Sequence, residues 1–173
     1  RPEVVIPNKV AISVEMQIRR VLEFPESVEL LTLDPEELDE ARFRASKEYA
    51  EAQMAKVFHN YRVLGRAELG NDEAGRAISA IYRGIDESDG VTAECFNPRH
   101  GLRAIRDGVT VELLICFECR YALVYVNNKQ EDEPFYTSET PADDLNQIAL
   151  ELELPLPPAP MVEEDNDEME EDE

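Results

Sequence analysis

The sequence predicts an α+β fold in which an antiparallel sheet of about four to six strands carries helices mainly on one face. Two patterns support this prediction. The dipeptide Asp107-Gly108 lies between two alternating runs of residues, and Asp-Gly favours the two-residue turn that joins antiparallel strands. Within 71–86, apolar residues recur at the spacing of one helix face, which is typical of a helix packed on a core.

The other elements are predicted from caps, alternation and turn residues. Strands are predicted at 27–33, 61–69, 91–96, 102–106, 109–115 and 121–126. Helices are predicted at 9–23, from Asp34 towards 56, at 71–86, and from Thr140 onward. Asp34-Pro35-Glu36-Glu37 predicts a helix start because it combines a cap residue, a proline at the first position and acids in the first turn. Gly65 indicates a bulge in the second strand.

The chain of 173 residues suits one domain with tails. We expect an N-terminal lead and helix at 1–26, a single α+β domain at 27–153, and a proline-rich exit with a disordered acidic tail at 154–173. Disorder is expected in the tail because it cannot bury enough apolar area to offset chain entropy. Since the sequence begins at Arg1, we expect a processed end of a soluble protein, and cytoplasmic and exported locations both stay open.

Acidity excludes one class of partner and favours another. The formal net charge is −22, and the last eleven residues, 163–173, hold nine acids and no base. The other 162 residues still carry −13, which excludes a general nucleic-acid binder because such a protein needs a basic face. The sequence has no run of 18 apolar residues, so no membrane span is expected. The charge fits either solubility at high ionic strength or a basic protein partner bound through the acidic tail.

All three cysteines lie within 95–119, and the predicted hairpin brings them to one place. If the Asp-Gly turn sets the register, His100 faces Ile115 and Cys95 comes to lie beside Cys119. Most of the side chains that are capable of chemistry therefore converge at the far end of the hairpin.

This convergence predicts a Cys3His zinc site formed by Cys95, His100, Cys116 and Cys119. The spacing is C-x4-H, then 15 residues, then C-x2-C. Pro98 cannot donate to the ladder, so regular pairing is expected to break there and let the chain turn towards the thiols. Two features weigh against zinc. The C-x2-C lacks the glycine of a usual zinc knuckle, and residues i and i+3 of a straight strand point to opposite faces.

Four other interpretations of the same cysteines stay open. One is buried free thiols that pack as small hydrophobes, and another is a Cys95–Cys119 disulfide formed in an oxidising compartment. A redox C-x-x-C pair is disfavoured because the β-rich run at 121–126 stands where a helix would be needed. Cys95 and His100 also have a spacing that suits a nucleophile and its base.

Arg99 is the candidate residue for binding an anion or a partner, because a guanidinium pairs well with carboxylate or phosphate. The alternative is an ordinary ion pair with Glu112 or Glu118, which is the more frequent arrangement in an acidic protein. The position of the guanidinium in the fold decides between the two.

Two cysteine segments and one upstream strand carry a family resemblance. The pattern C-F-N-P-R-H-G-L-R at 95–103, then I-C-F-E-C at 115–119, together with Y-R-V-L-G at 61–65, resembles a group of bacterial proteins of unknown function. The resemblance covers roughly 28–150 and implies that this stretch is one folding unit. It implies no activity, so no catalytic residue is carried over.

The sequence therefore favours a non-enzymatic binding or structural domain whose cysteine and histidine cluster serves stability, either by holding a structural zinc ion or as buried thiols. No other cofactor is expected, since the sequence has no glycine-rich phosphate loop. One alternative is a cysteine-dependent enzyme using Cys95 or Cys119 with His100 as base. Another is an acidic protein that binds a basic protein partner.

Overall fold

The computed structural model describes residues 13–38 and 56–160. In this part of the chain there are three helices and eight strands. The helices are α1 (Val14–Glu23), α2 (Asn71–Glu87) and α3 (Pro141–Glu151). The strands are β1 (Ser27–Glu37), β2 (Val57–Phe58), β3 (Tyr61–Glu68), β4 (His100–Arg106), β5 (Val109–Cys116), β6 (Tyr121–Val126), β7 (Lys129–Gln130) and β8 (Phe135–Tyr136).

The strands form one antiparallel sheet in the order β2-β3-β1-β4-β5-β6-β7, and β8 also pairs with β6. The α+β class and the antiparallel sheet are confirmed, but the expected strand number of about four to six is too small. The additional strands are β2, β7 and β8, which have two residues each. Two residues are too few to show the alternation by which strands are recognised in a sequence.

The hairpin of β4 and β5 has the register that its turn predicts. Asp107 and Gly108 have φ angles of 49° and 73°, as a turn with two left-handed residues requires. The ladder runs from Arg106 opposite Val109 to His100 opposite Ile115, and it ends there. The expected break of pairing near Pro98 is therefore confirmed.

The strand predicted at 91–96 is wrong, because 91–99 has no regular secondary structure. The Ser88 hydroxyl accepts from the Gly90 N–H at 3.1 Å, and the Asp89 carboxylate accepts from the Val91 N–H at 2.9 Å. Such local bonds from side chain to backbone compete with strand pairing. The segment instead crosses the end of the central hairpin, where the Ala93 N–H donates to the Cys119 carbonyl at 3.0 Å.

The helix start predicted at Asp34 is also wrong, because β1 continues through Glu37. One oxygen of Asp34 accepts from the Glu36 N–H at 3.0 Å, and the other accepts from Arg62 at 2.7 Å. The carboxylate thus stabilises a turn within an extended segment instead of capping a helix. The rest of the predicted helix falls mainly on 39–55, outside the described residues.

The bulge predicted at Gly65 is confirmed by the pairing of β1 with β3. Thr32 lies opposite Gly65, whereas Leu33 lies opposite Val63, so one residue of β3 is left over. A Cβ at Gly65 would lie 2.7 Å from Pro155 Cδ, so the proline-rich exit packs directly on this point of the sheet.

The helices pack on one face of the sheet. The core cluster on that face combines helix residues with alternate residues of the central strands: Ile18, Val21, Leu22, Ala74, Ala77, Ile81, Leu145, Ile148, Ala149, Val28, Leu30, Leu102, Ala104, Val111, Leu113 and Ile115. Because α1 contributes to this cluster, the helix assigned to the 1–26 lead packs on the sheet of the 27–153 domain. None of the helices in 13–38 and 56–160 is long and apolar enough to cross a membrane.

The opposite face carries a smaller cluster formed by Leu31, Leu33, Phe58, Tyr61 and Leu114. In the described residues no helix contributes to it. The β2–β3 hairpin instead places Phe58 against this face, where a Cβ at Gly101 would lie 2.8 Å from the Phe58 ring. Strand alternation thus separates a face covered by helices from a face covered by the sheet's own edge hairpin.

The contact of α2 with α3 gives a stability prediction. A Cβ at Gly84 would lie 2.5 Å from Pro141 Cγ and would also clash with Thr137, whereas a Cβ at Gly75 meets nothing within 4 Å. Gly84→Ala is expected to lower the free energy of unfolding by about 1–3 kcal/mol through overpacking. Gly75→Ala, the matched control on α2, is expected to raise it by about 0.5–1 kcal/mol. Urea denaturation measures both free energies of unfolding. An equal increase in the two variants would contradict the close packing of Gly84 against Pro141 and Thr137.

Candidate thiol site

The three cysteines reach one place from two separate segments. Cys116 is the last residue of β5, and the turn at 117–120 returns the chain into β6. In this turn Arg120 has a φ of 66° and donates its N–H to the Phe117 carbonyl at 3.1 Å. Cys119 lies inside the turn, and the irregular segment 91–99 lays Cys95 beside it. The predicted convergence of the thiols is therefore observed.

Cys116 and Cys119 form a disulfide, with their Cα atoms 5.1 Å apart, and both residues are buried. Cys95 is a free and exposed cysteine whose Sγ lies 3.6 Å from Cys119 Sγ. This arrangement differs from the expected Cys95–Cys119 disulfide and from three buried free thiols. It consists of a buried bonded pair with one accessible thiol against it.

Backbone N–H groups surround the bonded sulfurs. The Cys119 N–H donates to Cys116 Sγ at 3.2 Å, and the Asn97 N–H lies 3.4 Å from the same sulfur. The Asn97 N–H also lies 3.5 Å from Cys119 Sγ. Donors of this kind favour negative charge on sulfur, so the site is suited to thiolates when the bond is reduced.

A carboxylate lies beside the thiols. One oxygen of Glu118 and the sulfurs of Cys95 and Cys119 all lie within 4.8 Å of one another, and in 13–38 and 56–160 these atoms are the one group of His, Cys, Asp or Glu ligand atoms close enough together to hold a metal ion. Arg99 Nη1 donates to Glu118 at 2.9 Å and to the Asn97 carbonyl at 3.3 Å. The Glu118 ion pair that was expected as an alternative for Arg99 is thus present.

Arg99 also connects the thiol site to the proline-rich exit. Its Nε donates to the Pro158 carbonyl at 2.6 Å. The same corner borders a cavity of about 510 Å³, which is lined by residues such as Arg99, His100, Asn146 and Pro158. The Arg99 guanidinium therefore holds the proline-rich exit against the sheet. Its N–H groups donate to Pro158, Asn97 and Glu118 of the same chain.

His100 lies on the other face of the sheet from Cys116. It is opposite Ile115 in the ladder and shares the helix face with that residue, whereas Cys116, one residue further, points the opposite way. Its Nε2 lies 2.8 Å from Asn146 Oδ1 on α3, and its ring meets Phe117 edge-on at 5.4 Å. Among the described residues no hydrogen bond joins His100 to a cysteine. The structure thus brings together three of the four residues predicted to bind zinc.

Burial lowers the pKa of His100 to about 4, and the hydrogen bond to Asn146 only partly opposes this effect. The imidazole is consequently neutral at physiological pH and donates from Nε2 to the Asn146 oxygen. Its buried Nδ1 has no hydrogen-bond partner within 13–38 and 56–160. His100 is therefore a buried polar residue that packs among the side chains of the helix face.

The sequence interpretation missed a second polar cluster, on the face opposite the helices. His59 Nε2 lies 3.3 Å from Glu112 Oε1, and the His59 ring stacks on Tyr125 at 3.6 Å. Arg103 lies between Glu112, at 2.9 Å, and Glu29, at 3.5 Å. Burial raises the pKa of Glu112, but His59 and Arg103 outweigh that effect, so the net pKa is lowered.

One local signal for this cluster was available in the sequence. His59 and Asn60 have φ angles of 45° and 72°, and they form the two-residue turn between β2 and β3. Asparagine in such a turn is typical of a hairpin, and a hairpin would have placed the histidine next to the sheet.

Comparison with known proteins found no matching family model, no matching curated protein and no matching solved structure. The resemblance of 95–119 to a group of bacterial proteins therefore stays a prediction.

The buried imidazole gives a pH prediction. The folded chain disfavours protonation of His100, because its pKa of about 4 lies below the usual 6.5. Stability is therefore complete above about pH 6.5 and is lost as the pH falls towards 4, by about 2–3 kcal/mol at pH 4.5. His100→Gln, which keeps a donor for Asn146, is expected to remove this part of the loss. Urea denaturation at pH 7 and pH 4.5 measures it, and an equal loss in both proteins would contradict the buried neutral histidine.

The second cluster gives a mutational prediction. Glu112→Gln removes the negative charge that faces His59 and Arg103 and is expected to lower the free energy of unfolding by about 2–3 kcal/mol. The value lies below that of a fully buried pair because the Arg103 side chain is 35% exposed. Glu68→Gln, an exposed change on the same sheet, is the control and is expected to change stability by less than about 0.5 kcal/mol. Equal effects of the two substitutions would show that the cluster does not stabilise the fold.

Proposed function

We propose that the protein is a non-enzymatic binding or structural domain whose cysteine cluster joins 91–99 to the end of the central hairpin and, when reduced, binds one structural zinc ion. The observation that supports this proposal is the convergence of three sulfurs from two separate segments of the chain. A small α+β domain gains stability when such a junction is closed by a metal.

The donor set suits zinc in the reduced state. Cys95, Cys116 and Cys119 supply three thiolates, and zinc binds both thiolate sulfur and carboxylate oxygen. For the fourth ligand we favour Glu118 over the expected His100. The Glu118 carboxylate lies in the same group of ligand atoms as two of the sulfurs, whereas the His100 Nε2 is engaged by Asn146 on the other face. Arg99 would then orient the ligating carboxylate.

The arrangement does not favour the enzyme that uses Cys95 or Cys119 with His100 as base. A general base must lie within hydrogen-bond reach of the thiol that it activates, and in the described residues His100 has no such bond. The third alternative, an acidic binder of a basic partner, rests mainly on 163–173, which lie outside the described residues.

Metal titration of the reduced protein tests the zinc proposal. One zinc ion per chain is expected, with all three thiols protected from a thiol reagent until a chelator is added. Glu118→Gln is expected to weaken zinc binding by about 10–100-fold. Glu94→Gln, an exposed neutralisation next to Cys95, and His100→Gln are expected to leave zinc binding unchanged.

Two outcomes would overturn parts of this proposal. If the reduced protein takes up no zinc, the proposal of a structural zinc ion is refuted. Loss of zinc in His100→Gln but not in Glu118→Gln would restore the Cys3His ligand set.

A further inference from the structure

The three cysteines differ in their exposure to solvent, and this difference suits thiol–disulfide exchange. Cys116 and Cys119 are 0% exposed, so reagents in solvent do not reach their disulfide directly. Cys95 is exposed, and its sulfur lies 3.6 Å from Cys119 Sγ. Thiol–disulfide exchange needs a thiolate that contacts one sulfur of a disulfide and is itself accessible to a partner. Cys95 meets both requirements.

We propose that the cluster is a three-cysteine relay for thiol–disulfide exchange, in which Cys95 passes oxidising equivalents between external small disulfides or thiols and the buried Cys116–Cys119 pair. The internal step begins when the Cys95 thiolate attacks Cys119 Sγ. A Cys95–Cys119 bond forms, the Cys116–Cys119 bond breaks, and Cys116 leaves as a thiolate. This step needs no other reactant, because the number of thiols and of disulfides is unchanged.

The backbone stabilises the leaving group of this step. Cys116 Sγ faces the N–H groups of Cys119, at 3.2 Å, and of Asn97, at 3.4 Å. A thiolate that is better stabilised leaves faster, so the two donors favour release of Cys116. Cys119 is the central sulfur, since it contacts both of the others and changes partner in every step.

Oxidation of the fully reduced site by an external disulfide uses the same contacts in reverse order. The Cys95 thiolate attacks the external disulfide, forms a mixed disulfide and releases one external thiolate. Cys119 attacks the Cys95 sulfur and releases the second external thiolate. Cys116 then attacks Cys119, which restores the buried pair and frees Cys95. One external disulfide is reduced to two thiols, and one protein disulfide is formed.

The charge around Cys95 indicates which small disulfides react best. Glu94 precedes it on the exposed segment, the Glu118 carboxylate lies beside it, and the chain carries a net charge of −22. Among the described residues, the carboxylate that pairs with Arg99 is that of Glu118. Attraction within this field favours cationic disulfides such as cystamine over anionic ones such as oxidised glutathione, and salt reduces the difference.

This inference uses the same cysteines as the proposed function but does not depend on zinc. Every exchange measurement is made with chelator present, so a protein that fails to bind zinc can still pass the exchange test. A protein that fails the exchange test can likewise still bind zinc. The substitution Cys95→Ser is expected to fold, because the residue is exposed. Thr92→Ala, an exposed change in the same segment, is the control.

The first experiment follows reduction of the buried disulfide by cysteamine in the oxidised proteins. Cys95→Ser is expected to slow reduction by about tenfold or more, because the external thiol must then reach a buried bond without the relay. Thr92→Ala is expected to react like the original protein. Equal rates for Cys95→Ser and the original protein would overturn the proposal.

The second experiment compares two variants that each keep Cys95 and one further thiol. After treatment with cystamine, Cys116→Ser is expected to form an internal Cys95–Cys119 disulfide, whereas Cys119→Ser is expected to accumulate the mixed disulfide on Cys95. Mass spectrometry of the intact protein and its tryptic peptides distinguishes the products. Equally fast internal closure in both variants would overturn the central role of Cys119, and equal rates with cystamine and oxidised glutathione would overturn the charge preference.

Discussion

The register of the hairpin formed by β4 and β5 is the constraint on which the rest of the structure depends. Asp107 and Gly108 accept left-handed backbone angles at low cost, so the turn closes after two residues and fixes every pair along the ladder. A shift of one residue would move every side chain of a strand to the other face of the sheet. The turn thereby decides which residues meet the helices and where the cysteines lie.

The two faces of the sheet use this register differently. The helix face is a continuous apolar core into which His100 is packed as a neutral polar residue. The opposite face tolerates charge, because the buried Glu112 pairs with Arg103 and has His59 beside it. The thiol site lies where the ladder ends, and there the chain is free of strand geometry and can bring two segments together.

Much of this arrangement follows from local sequence signals. The turn residues predicted the ladder, and the helical spacing predicted α2, because both depend on nearest neighbours along the chain. The same ladder already implied that His100 and Cys116 point to opposite faces, so the zinc prediction conflicted with its own register.

Other features depend on distant partners. Asp34 was predicted to cap a helix, but its carboxylate binds Arg62, which is far away in sequence. A paired C-x-x-C at Cys116 and Cys119 was disfavoured because a β-rich run follows it, but the tight turn at 117–120, which the sequence analysis did not recognise, brings the two sulfurs together.

The contacts of the proline-rich exit have a consequence for the remainder of the chain. Pro155 packs on Gly65 and the Pro158 carbonyl is bound by Arg99, so the backbone is attached to the sheet until shortly before 161. The nine acidic residues of 163–173 are consequently tethered within a few residues of the Arg99 corner. The two contacts of the exit thus fix the point of the fold to which these carboxylates are attached, beside the ion pair of Arg99 with Glu118.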